Sequence, residues 1–82
     1  MAAIHLSLST YEQFSACPTD ILEEEISRMS IRLKLAMPQT EEERRQYQLD
    51  QDKLNALKHL SQLRKGKLST EDFKLKVELV GS

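Results

Sequence analysis

Between Pro18 and Pro38 the apolar residues recur at helical spacing, and this feature limits the possible folds more than any other in the chain. Leu22, Ile26, Met29, Leu33 and Met37 stand four, three, four and four residues apart, which lines one side of an α-helix. Ile21, Ile31 and Leu35 fall on the other side of the same helix. It is therefore apolar in two directions, more than a simple two-helix hairpin uses. The residue before a proline avoids the helical region, so both prolines act as boundaries. Asp20 followed by Glu23 gives a box-like start signal at Thr19-Asp20. Glu23, Glu24 and Glu25 crowd the first turn, whereas Arg28, Arg32 and Lys34 come later, as the helix dipole favours. The spacing predicts a helix over about 20–36, within a segment 19–37.

Other capping patterns divide the rest of the chain. Thr40 with Glu43 opens a second helix, which runs to Arg64 or Lys65 with Gly66 as the left-handed residue after it. The first half of this segment (40–65) is polar apart from Tyr47 and Leu49. Its second half carries Leu54, Ala56, Leu57, Leu60 and Leu63 and belongs in a core. The polar half either projects into solvent or lies on a polar partner surface. Ser69 with Asp72 opens a third helix, over about 70–80, with Leu68 and Phe73 at the spacing of a hydrophobic staple. Phe73, Val77 and Val80 form one face of it, with Leu75 and Leu79 alongside. The run from Phe73 to Leu79 also alternates with the period of a strand. The cap and staple favour helix.

The first eighteen residues read as an arm. Ile4, Leu6 and Leu8 alternate with His5 and Ser7, and a lone strand needs partners. The favoured reading is an extended arm packed on helices; the alternative is a strand completed by another chain. Ser9 with Glu12 is a further capping box, opening a short helix over about 10–16 that Pro18 stops, with Tyr11 and Phe14 on one face. The expected fold class is all-α. It is one domain (1–82): a small bundle of two main helices plus a C-terminal helix folded back as a hairpin, with an extended or short-helical N-terminal arm. No role is assigned to Gly81-Ser82.

The stretch from Leu54 to Val80 contains leucines three apart at Leu57, Leu60 and Leu63, followed by Arg64, Gly66, Leu68, Ser69, Glu71, Asp72 and Phe73. It resembles the short C-terminal domain family (SHOCT-like). Gly66, Leu68, Ser69, Glu71, Asp72 and Phe73 match that pattern position by position, over about a third of the chain. Val77 and Val80 depart from it, standing where the family often has basic and leucine residues. The resemblance implies a helical hairpin with a role in oligomerisation or docking and no known catalytic chemistry.

Composition bears on function mainly by exclusion. With 82 residues the chain is small enough that pairing, with itself or a partner, is a common source of stability. Twelve basic and thirteen acidic side chains nearly cancel, so the basic excess of a dedicated nucleic-acid binder is missing. A single cysteine, Cys17, permits no internal disulfide and fits a reducing, cytoplasmic setting. No run is long enough to span a bilayer, and no basic-then-apolar start suggests a signal peptide.

Chemical motifs are equally sparse. His5, His59 and Cys17 have no motif context for a nucleophile and base; Cys17 reads as a small buried residue and His59 as a boundary side chain. The carboxylate runs Glu23–Glu25 and Glu41–Glu43 point successive side chains in different directions and sit at helix starts, so no metal site is expected. Two glycines cannot form a phosphate-cradling loop, and no cofactor is expected. Arg64, Lys65 and Lys67 read as charge complementing a helix C-terminus. The chain is therefore not expected to be an enzyme.

The resulting expectation is a protein–protein interaction module, such as an adaptor, a small chaperone or an inhibitor, acting on a protein partner or as a homo-oligomer. Ile21, Ile31, Leu35, Tyr47 and Leu49 are the candidate partner-binding residues. One alternative is a nucleic-acid-associated factor using Arg28, Arg32, Lys34, Arg44, Arg45 and the Arg64–Lys67 cluster. Another, within the first class, is a secretion- or phage-assembly chaperone, to which the chain is similar in length and helicity alone.

Overall fold

A computed structural model describes residues 3–81; Met1 and Ala2 of the expected arm, and Ser82, lie outside the described residues. In chain order the elements are strand β1 (Ile4–Ser7), helix α1 (Leu8–Ala16), helix α2 (Thr19–Leu35), helix α3 (Glu41–Arg64), helix α4 (Thr70–Lys76) and strand β2 (Val77–Val80). The described residues are mostly helical, with one small two-stranded sheet.

The long helix α3 sets the frame. At 1.5 Å per residue its 24 residues extend about 36 Å, close to the 38 Å longest dimension of the molecule. Thr40 caps it as expected, its Oγ1 accepting from the Glu43 amide at 3.0 Å. Gly66, at φ 76°, closes it. The Gly66 amide donates to the Leu63 carbonyl at 3.1 Å and the Lys67 amide to the Gln62 carbonyl at 2.8 Å, the paired bonds of a Schellman ending. In the polar half, Gln46 donates to Asp50 and Gln48 to Asp52, each at 3.1 Å, so side-chain amides one turn apart support a segment with little packing.

Helix α2 packs antiparallel to α3. Its start lies near the end of α3, where the Ser61 hydroxyl donates to Glu23 at 2.7 Å, and its end lies near Tyr47 and Asp50. Leu22, Met29 and Leu33 are buried, Ile26 partly so. They meet Leu54, Leu57 and Leu60 in one core that also takes in Leu6, Phe14, Ala56, Phe73 and Val77. Leu63, expected inside, is only half-buried.

Several expected boundaries move. Helix α2 ends at Leu35, where the Ala36 amide turns back to the Leu33 carbonyl, and Met37 is therefore exposed rather than part of the core stripe. The proline after Met37 holds that residue out of the helix. Neither early capping box forms. Asp20 lies inside the first turn of α2, whose Ile21 and Leu22 amides go to the Pro18 carbonyl. Helix α1 begins at Leu8, directly after the strand, which places Ser9 in the first turn; its hydroxyl meets that of Ser7 at 2.9 Å.

The largest correction concerns the two ends. The third helix does not continue to residue 80. Ser69 does cap it, accepting from the Asp72 amide at 3.1 Å, and Phe73 is buried beside half-buried Leu68. At Val77 the chain becomes extended and pairs in parallel with β1, in the register Ile4–Val77, His5–Glu78, Leu6–Leu79, Ser7–Val80. The arm is thus a strand, completed within its own chain. Leu6 and Val77 point into the core, whereas Val80, expected on the buried face, is exposed. A complementary edge at residues 4–7 outweighs the local helical signal, and Val77 and Val80 are β-branched residues suited to it.

Candidate interaction surface

The outer side of α2 carries the expected apolar residues. Ile21 is 50% exposed, Ile31 60% and Leu35 75%, while the opposite side of the same helix holds fully buried Leu22 and Met29. The spacing 21, 24, 28, 31, 35 alternates three and four, so Glu24 and Arg28 lie on the same outer stripe. Their side chains pair with each other at 2.6 Å, one turn apart, and both are well exposed.

The five candidate residues do not form one patch. Ile21, Ile31 and Leu35 share the outer side of α2. Tyr47 is half-buried, packed against the core and lining a shallow cleft of about 280 Å³ between the end of α2 and the start of α3. Arg32, Met37, Pro38 and Asp50 also line it. Leu49 is 58% exposed, but residues two apart on a helix do not face the same way, so it points away from Tyr47 and the cleft. Met37, 80% exposed, belongs to this surface although its spacing had placed it on the core stripe. Its position before Pro38 was the available signal, because the stripe could not remain helical that far. Leu75, Leu79 and Val80 are further exposed apolar residues at the C-terminal end.

Of the basic residues near Gly66, Arg64 and Lys65 are engaged by the fold. The Arg64 guanidinium donates to the Phe14 carbonyl at 3.0 Å and approaches the Cys17 sulfur at 3.9 Å, while the Cys17 thiol donates to the same carbonyl at 3.5 Å. Lys65 pairs with Glu23. That ion pair, and then the Ser61 hydroxyl, hold the Glu23 carboxyl below its ordinary range. His5 lies 3.1 Å from Glu78 across the sheet, both exposed, and no hydrogen bond joins Cys17 to either histidine among the described residues. Among the described residues, no three His, Cys, Asp or Glu side chains are grouped as metal ligands would be, and no helix is long and apolar enough to cross a membrane.

Compared with protein-family models, curated proteins and solved structures, the chain matches none.

Proposed function

We propose that this chain is a non-catalytic protein–protein interaction module, an adaptor, small chaperone or inhibitor, that presents the outer side of α2 to a protein surface in the cytoplasm. The observation that carries this reading is the exposure of Ile21, Ile31 and Leu35 on a helix whose other side is already occupied by the core. Three large aliphatic side chains on one stripe, flanked by charge, have the layout of a helix that anchors into an apolar surface. The resemblance of residues 54–80 to the short C-terminal domain family, associated with oligomerisation and docking, supports the same class of role.

The test is a paired substitution, Ile31→Ser with Leu35→Ser. Both sites are solvent-exposed, so circular dichroism and the melting curve should stay close to those of the parent. Binding of a dye that reports exposed apolar surface should fall, as should recovery of partner proteins on the immobilised chain. A parent protein that binds no dye and recovers the same proteins as the double variant contradicts the reading.

A further inference from the structure

We propose that the outer stripe of α2 is covered from Ile21 to Ile31 by α2 of a second copy of this chain, running antiparallel in one particular register. The inference rests on the reading of this face as an interaction surface, and it names the occupant. Ile21, Glu24, Arg28, Ile31 and Leu35 alternate three and four, the repeat with which two helices pack along a shared seam. In an antiparallel pair the layers alternate between the two position types, so the possible registers differ by whole heptads. One register sets Ile21 against Ile31 of the second copy, Glu24 against Arg28, Arg28 against Glu24 and Ile31 against Ile21. Sliding by one heptad sets Glu24 against Leu35 and Arg28 against Ile31, which takes charges out of water against aliphatic groups. A parallel in-register pair sets Glu24 on Glu24 and Arg28 on Arg28. Only the first arrangement matches every charge with its opposite and every isoleucine with an isoleucine; Leu35 then falls opposite residue 17, beyond the start of the partner's α2, and stays outside the seam.

The monomer already holds the needed groups on one exposed face, since Glu24 and Arg28 pair with each other there at 2.6 Å. In the dimer each carboxylate gains a second guanidinium, and the four charges close a ring at the centre of the seam. At one flank Asp20 stands beside Lys34 of the second copy. At the other Glu25 stands near its own copy, the one unfavourable contact of this register. The seam runs from Ile21 to Ile31, about 15 Å along α2, so the interface is smaller than a standard specific contact and association is weak.

Sedimentation equilibrium of the full chain from micromolar to millimolar concentration tests this. The parent should dimerise. Glu24→Arg and Arg28→Glu should each weaken dimerisation by more than about tenfold, because each places like charges in both central layers. Mixing the two variants should restore a dimer, now mixed, and the double exchange Glu24→Arg with Arg28→Glu should restore a homodimer. Glu25→Gln should tighten it. In a Cys17→Ser background, Ile21→Cys with Ile31→Cys should give a disulfide-linked dimer on oxidation. Either single cysteine should not, since each lies about 15 Å along the seam from its own copy. A parent that stays monomeric throughout, or a dimer indifferent to both charge reversals, overturns the proposal. The dye and recovery assays on Ile31→Ser with Leu35→Ser report separately on the broader reading.

Discussion

Leu60 is 1% exposed and sits where α3 meets the rest of the core. Leu60→Ala should lower stability by about 2–5 kcal/mol, read from urea unfolding, because it removes buried apolar surface and leaves a cavity. Ser69 and Thr40 each satisfy a backbone amide at a helix start, so Ser69→Ala and Thr40→Ala should each cost about 1 kcal/mol. Glu23 gives a pH-dependent term. Its carboxyl titrates below its ordinary 4.5 in the folded protein, through Lys65 first and Ser61 second. Its contribution to stability is therefore complete above that ordinary value and is lost as pH falls through the lowered one. Glu23→Gln should flatten the acid side of the stability profile and leave its slope near neutral pH unchanged. An identical acid slope in the variant contradicts the ion-pair assignment.

The elements differ in how clearly the sequence announces them. Helix α3 and its end were readable because the Thr40 and Gly66 signals are local, and the structure places both in those roles. The buried stripe of α2 was readable from spacing. The Ser9 and Asp20 boxes misled because a capping box describes a start that is available, and neighbouring chain decided otherwise. A strand running directly into α1 pulled its start forward, and the Pro18 carbonyl took the first amides of α2. The β1–β2 pair was hidden for a deeper reason. Its partners are more than seventy residues apart, and their pairing depends on the intervening helices bringing both ends to the same side of α3. Period-2 alternation was visible in both segments, yet nothing local says that each is the other's partner. The sheet should draw its stability from its inward row. Leu6→Ala should cost about 2–5 kcal/mol, as for a core leucine. His5→Ala should cost less than about 1 kcal/mol, because His5 and Glu78 form an exposed pair.

At the scale of the whole molecule, α3 spans the long dimension, α2 lies antiparallel along it, and the paired termini with α1 and α4 complete the core. The polar half of α3 extends past most of this packing, which leaves Leu49 exposed. The candidate surface was legible in part. The exposure of Ile21, Ile31 and Leu35 followed from having two apolar directions on one helix and a single core to fill. The separation of Tyr47 and Leu49 from that stripe depends on how α3 is rotated against α2, which pattern alone does not fix. The proposed pairing of α2 with α2 of a second copy governs how the whole molecule behaves in solution. Its most direct test is to follow backbone amide NMR shifts of the full chain as its concentration rises. It predicts concentration-dependent shifts centred on Ile21, Glu24, Arg28 and Ile31. Shifts confined to Leu75, Leu79 and Val80, or none up to millimolar concentration, would contradict it.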